Sequence, residues 1–137
     1  MPHFDCIVIG GGPGGYVAAI RAAQLKKRVA LIERARVGGT CLNHGCIPTK
    51  TLYRTAGVLR DAASAGFYGV RAEGVSLDLE AARARTRQVV DTLVSGVQSL
   101  LKANGVSVVL GDASFLDAHS LRAGDETYTA DAFIIAT

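Results

Sequence analysis

The chain has 137 residues, 49% of them hydrophobic and 20% charged, with 16 glycines and a formal net charge of +3. That length suits one domain, and so large an apolar fraction supports a packed core and excludes a disordered chain. The weak positive charge does not indicate nucleic acid, and no apolar run approaches the roughly 20 residues that span a bilayer.

Residues 4–9 (FDCIVI) form a short, mostly apolar run ending at glycine, the pattern of a strand buried on both faces of a parallel sheet. Residues 10–15 (GGGPGG) read as a loop. Residues 16–27 are rich in alanine, and Val17, Ile20, Ala23 and Leu25 supply an apolar stripe, which predicts a helix. Residues 28–33 (RVALIE) predict a second strand, completing a βαβ unit. Residues 34–40 connect to a mainly helical stretch from Cys41 to about Ala65, disturbed near its start by Pro48. Residues 66–76 are loop-like. Residues 78–103 predict a long helix capped by Ser76 or Asp78, with Leu79, Ala82, Val89, Val90, Leu93, Val97, Leu100 and Leu101 on its buried side. Asn104-Gly105 stops it, because both residues tolerate the left-handed conformation. Residues 106–110 read as a strand, residues 120–122 and 127–129 as hairpin arms around Gly124-Asp125, and residues 132–136 (AFIIA) as a final strand. The expected fold is a Rossmann-like, three-layer α/β domain over residues 1–137: a parallel central sheet flanked by helices, with a small antiparallel β addition.

Gly10-x-Gly12-x-x-Gly15 follows a strand and opens a helix. In that setting the first glycine permits a tight turn, the second lets backbone approach a pyrophosphate, and the third allows close helix–strand packing. The helix N-terminus offers unpaired amides to phosphates. Glu33 ends the second strand, near the spacing expected of an acid that binds ribose hydroxyls. The pattern alone does not choose between FAD and NAD.

Cysteines are three, Cys6, Cys41 and Cys46, an odd number that does not suggest a secreted disulfide framework. Cys6 lies in the first apolar run and reads as core packing. Cys41 and Cys46 are five apart, and on a regular helix their Cα atoms would be about 8.6 Å apart. A disulfide tolerates less than about 7 Å, so a bridge requires a distorted turn. Gly45 and Pro48 are residue types that permit one. A thiol near a helix N-terminus has a lowered pKa and raised reactivity. Lys50, four residues after Cys46, would put a cation on the same helical face. Two other readings stay open: half of a zinc site that lacks its second pair, or unrelated buried thiols. His44 reads as a solvated loop residue able to tune the cysteines. His3 and His119 carry no catalytic signal, and Arg83, Arg85 and Arg87 read as a solvated helix face. No metal site is expected.

GGTCLNHGCIPTK, residues 38–50, resembles the redox-active disulfide segment of the class I pyridine nucleotide-disulfide oxidoreductases. GGGPGG with Glu33 resembles the FAD-binding start of that family, and Leu101-Lys-Ala-Asn-Gly-Val106 and Phe133-Ile-Ile-Ala-Thr137 also fit. The form CLNxGCIPTK is more similar to the dihydrolipoamide dehydrogenase branch than to glutathione or mercuric reductases. The resemblance implies that Cys41 is the thiol that exchanges with a dihydrolipoyl substrate. It implies that Cys46 lies against the flavin with Lys50 near the flavin N5 edge. Gly10, Gly12 and Gly15 would admit the FAD pyrophosphate, Glu33 would take the adenosine ribose, Thr40 would help hold the phosphates, and the backbone of Ala113 would meet the adenine. Pro13, Gly14, Arg34, Gly38, Gly39 and Thr137 complete the implied cofactor-binding set.

The same resemblance implies FAD as cofactor, NAD as co-substrate, the dihydrolipoyl groups of 2-oxo acid dehydrogenase complexes as partners, and a homodimeric parent. Family members are several-fold longer. The chain is therefore expected to be an amino-terminal FAD-domain part, without NAD-binding and dimerisation domains and without complete turnover alone. A module that holds FAD without turnover, or part of a glutathione or mercuric reductase, are the competing expectations. With no signal-peptide pattern before the first strand, the expected location is the cytoplasm, with neither nucleic acid nor membrane as partner.

Overall fold

A computed structural model describes residues 1–137. The βαβ unit forms as the sequence implies. β1 (His3–Ile9) and β2 (Val29–Glu33) run parallel, with Cys6 opposite Val29 and Ile9 opposite Ile32. The intervening α1 (Pro13–Gln24) begins at Pro13 and not at Tyr16. Proline suits the first helical position, where its missing amide is not needed. The helix also ends before Lys27, because Lys26 takes a left-handed φ of 66°.

The stretch after Cys41 is not one helix. α2 (Gly39–Asn43) and α3 (Cys46–Ala63) are separated by His44 and Gly45. Pro48 lies in the first turn of α3, where no intrahelical bond is lost, so it breaks nothing. The break is at Gly45, with φ −121° and ψ −103°. Ala65–Tyr68 forms a short 3₁₀ turn within the segment expected to be loop.

α4 (Leu79–Ala103) is capped by Asp78, whose carboxylate accepts the Ala81 amide at 2.9 Å. Its buried side is Ala82, Val90, Val94, Val97 and Leu101. Leu79, Leu93 and Leu100, expected on that side, are exposed, because α4 packs on α1, α2, α3 and β3 along a narrower stripe.

β3 (Ser107–Leu110) pairs parallel with β2. β4 (Ala113–Phe115), which the sequence pattern did not reveal, pairs antiparallel with β5 (Ser120–Ala123). The second hairpin arm and the final strand are one continuous strand, β6 (Glu126–Ile135). Its first residues pair antiparallel with β5, from Ala123 opposite Glu126 to Ser120 opposite Thr129. From Thr129 onward it pairs parallel with β1, ending with Ile9 opposite Ile135. The sheet order is β3-β2-β1-β6-β5-β4.

Two cores follow from strand alternation. On one face Cys6, Val8, Val29 and Leu31 pack with Ala19 of α1 and Val90, Val94 and Leu101 of α4. On the other, Ile7, Ile9, Ala30 and Ile32 pack with Leu121, Ala123 and Tyr128 of the β5–β6 hairpin. Helices thus cover one face, while the second cluster is built from strands of the same six-stranded sheet. Ile7, Leu31, Ile32, Leu101 and Leu121 are the largest fully buried side chains. Each contributes about 1.5–3 kcal/mol through burial. No helix is long and apolar enough to cross a membrane. The carboxyl ends of β1, β2 and β6 meet at one edge, where open α/β sheets form ligand crevices.

Candidate active site

The chain leaves β1 through Gly10, which takes φ +102°. A Cβ there would lie 2.4 Å from the Ala136 carbonyl oxygen, so both conformation and space require glycine. A Cβ on Gly15 would lie 1.7 Å from the Gly10 carbonyl oxygen, which fixes how closely α1 enters the turn. Gly12 and Gly14 differ. The nearest atom to a Cβ on Gly12 is Gly39 Cα at 3.9 Å, and a Cβ on Gly14 meets nothing within 4 Å. Their freedom from side chains leaves room in front of α1. No side chain caps that helix, so its first amides lack acceptors and face the same space.

Glu33 is buried at the end of β2. Its Oε2 accepts the Gly11 amide at 2.7 Å and its Oε1 accepts the Ala35 amide at 2.9 Å. The carboxylate therefore ties the glycine loop to the turn after β2. Each oxygen keeps a further lone pair for a hydroxyl donor.

These groups border a cleft of about 840 Å³. Of the residues expected to bind cofactor, Gly10, Gly12, Pro13, Gly14, Glu33, Arg34, Gly39, Thr40, Cys41, Ala113 and Thr137 line it. Gly15 and Gly38 are buried and not among its lining residues. Cys46 and Lys50 are exposed on α3 and do not line it. Gly11, Arg36 and Asn43, which the sequence pattern did not assign to the site, also line the cleft, and so does His44, exposed between α2 and α3 as expected. Arg36 is anchored by its 2.7 Å ion pair with Asp91 of α4. The triple glycine was the available signal for Gly11. Nothing local marked Arg36.

The break between α2 and α3 brings the cysteine pair together. A Cβ on Gly45 would lie 3.0 Å from the Thr40 carbonyl oxygen and 3.6 Å from Cys41 Cα, so the chain doubles back there. Cys41 is half-buried and Cys46 exposed, both as thiols. The Cys41 thiol is held above the ordinary thiol range, against the expectation of a lowered value. Hydrogen bonding with the Cys46 side chain is the main cause, followed by partial desolvation and the charge of an ionised Cys46. The Cys46 amide and Lys50 pull the other way but do not prevail. Replacing Cys46 with alanine removes the main cause and leaves the opposing ones. The pH at which Cys41 alkylation by iodoacetamide is half-maximal is therefore expected to fall in Cys46→Ala, read by mass spectrometry. An unchanged or higher midpoint would separate the two thiols.

The remaining candidates are peripheral. Cys6 is buried, and burial, helped by the charge of Asp5, raises its thiol. His3 bonds Thr129 at 3.0 Å and approaches Asp131 at 3.4 Å, pinning the start of β1 to β6. His119 is exposed in the turn before β5.

Residues 4–137 match the family described as pyridine nucleotide-disulphide oxidoreductase. The dihydrolipoyl dehydrogenase of Zymomonas mobilis is 55% identical over 109 residues, which are 80% of this chain and 23% of that protein. Those of Staphylococcus aureus and Bacillus subtilis are 48% and 47% identical over 137 residues, covering 97% of this chain and 29% of each relative. Among solved structures, the Cu(II) complex of the HOCl-induced flavoprotein disulfide reductase RclA from Escherichia coli is similar with a TM-score of 0.80 and 32% identity, over 100% of this chain and 29% of that one. The chain thus spans 23–29% of the length of these relatives. With nearly its whole length inside the family match and its glycine cleft beside a doubled-back cysteine pair, the chain belongs to the pyridine nucleotide-disulphide oxidoreductases.

Proposed function

We propose that this chain is the FAD-holding, disulfide-bearing part of a dihydrolipoamide dehydrogenase. The whole enzyme would oxidise dihydrolipoyl groups of 2-oxo acid dehydrogenase complexes and reduce NAD, as a cytoplasmic homodimer. The observation that carries the reading is that Cys41 lines the same cleft as the open-faced glycines Gly12 and Gly14. Dihydrolipoyl dehydrogenases at 47–55% identity support the choice of branch.

The residues present fit FAD. The space in front of Gly12 and Gly14 accepts a pyrophosphate on the free amides of α1. Glu33, with its carboxylate fixed by two backbone amides, presents acceptors for ribose hydroxyls. Arg34, Gly38, Gly39, Thr40, the backbone of Ala113, and Thr137 complete the proposed cofactor set. When bound, FAD supplies the redox chemistry that links a dithiol to a nicotinamide.

The protein's own step is thiol–disulfide exchange. With Cys41 and Cys46 oxidised to a disulfide, a substrate thiolate attacks the Cys41 sulfur. A substrate–Cys41 bond forms, the Cys41–Cys46 bond breaks, and Cys46 leaves as a thiolate. The second substrate thiol then closes the substrate disulfide and releases Cys41. Lys50, on the α3 turn that begins at Cys46, supplies positive charge near the pair.

The test is to mix the purified chain with FAD, desalt it, and record the visible spectrum. About one equivalent of flavin is expected to stay bound. Loss of all flavin would overturn the reading for this chain. A second reading is an FAD-holding module without NAD-linked turnover, in which the glycine cleft and Glu33 hold flavin alone. Lipoamide-dependent NADH formation by the chain alone is expected to be absent, and steady turnover would refute that second reading.

A further inference from the structure

We propose that Asn43 is a positioning residue that locks the redox-cysteine segment onto the dinucleotide cleft by donating its carboxamide N–H groups to the first residue of α2 and to the loop before it. The inference rests on the function proposed above. α2 has five residues, too few to hold itself as an isolated helix. Its start is pinned to the glycine loop: the Gly38 amide donates to the Gly11 carbonyl at 2.7 Å, and a Cβ on Gly39 would lie 2.7 Å from Gly12 Cα. Its end is pinned by Asn43. The Nδ2 group lies 3.0 Å from the Gly39 carbonyl oxygen, 3.2 Å from that of Val37, and 3.5 Å from that of Arg36. One side chain therefore gathers the loop that forms the cleft wall, two residues after Cys41.

Chemistry fixes which edge of the carboxamide faces the loop. Three carbonyl oxygens converge on one atom, so that atom must donate. The opposite atom, Oδ1, is buried without a hydrogen-bond partner. An unpartnered buried acceptor is unfavourable, and it is tolerated here beside a donor edge with several acceptors. Aspartate has the same shape but no donor when ionised. It regains one O–H donor when protonated, and the surrounding carbonyls favour that form.

The test uses Asn43→Ala and Asn43→Asp in the full chain, with two readouts: FAD affinity, and the Cys41 alkylation rate relative to wild type at the same pH. Both variants are expected to bind FAD roughly tenfold more weakly at about pH 8, the loss expected for two neutral hydrogen bonds, and to alkylate several-fold faster at Cys41. In Asn43→Asp both defects are expected to shrink as pH falls to about 5, while Asn43→Ala keeps them. Asn43→Asp also serves if Asn43→Ala does not fold. Wild-type values in both variants, or an Asn43→Asp defect that ignores pH, would overturn the inference. If the wild-type chain holds no FAD, the function reading fails and the alkylation ratios alone decide the role of Asn43.

Discussion

Gly15→Ala is expected to lower the denaturant midpoint strongly, while Gly14→Ala, one position earlier, is expected to leave it near wild type. A Cβ on Gly15 would stand 1.7 Å from the Gly10 carbonyl oxygen and 2.9 Å from its carbon. The opposing group is backbone, itself fixed by the Gly10 amide bond to Ile32 at 2.8 Å. No flexible side chain can swing away, so α1 or the strand end must move. Overpacking typically costs 1–3 kcal/mol, and a backbone clash of this depth should cost about 3 kcal/mol or more. Small domains hold only about 5–15 kcal/mol in total. Gly14 meets nothing within 4 Å, and alanine is the better helix former by up to about 1 kcal/mol. Gly14→Ala and Gly12→Ala should therefore unfold at or near the wild-type denaturant midpoint but lose FAD, because their methyl groups fill the phosphate space. Circular dichroism against guanidinium separates the cases. A Gly15→Ala chain with a wild-type midpoint would show that the turn is soft and that this account of the third glycine is wrong.

The parts legible in sequence were those decided locally. The apolar run of β1, the glycine spacing and the terminal acid of β2 each depend on neighbours within a few residues. Asp78 likewise announced α4 because capping is a local bond. Other features depended on distant partners. Pro48 was expected to disturb the helix after Cys41, yet a proline in a first turn loses nothing; the break falls at Gly45, the other residue expected to permit a distorted turn. Residues 127–129 and 132–136 read as two strands, but in the structure both lie on one strand that changes partner from β5 to β1 at Thr129. The cleft wall was half legible: glycines and Glu33 carry a pattern, whereas Arg36 and Asn43 enter only because the chain returns past Gly11 and Gly12. The raised thiol at Cys41 has the same origin, since proximity to Cys46 outweighs the nearby lysine.

Glu33 carries the other large effect. Its carboxylate accepts the Gly11 and Ala35 amides, both charge-assisted bonds. Bonds to charged groups contribute about 1.5–3 kcal/mol each. Glu33→Ala leaves both amides without acceptors and is expected to cost about 3 kcal/mol or more, the two terms being less than additive. Glu33→Gln keeps the shape and one acceptor but turns an N–H toward the other amide, so it should fall between alanine and wild type in denaturant midpoint. Both variants should weaken FAD binding at least roughly tenfold, through the ribose contact and the loosened glycine loop. A Glu33→Gln chain as stable as wild type would show that the amide left facing the glutamine N–H does not depend on the carboxylate. Gly11 supplies a cross-check, because a Cβ there would lie 2.9 Å from Glu33 Oε2 and push the carboxylate aside. If Gly11→Ala acts through that bond, combining it with Glu33→Ala should cost less than the sum of the two. Full additivity would mean that Gly11 is required for some other reason than room for this carboxylate.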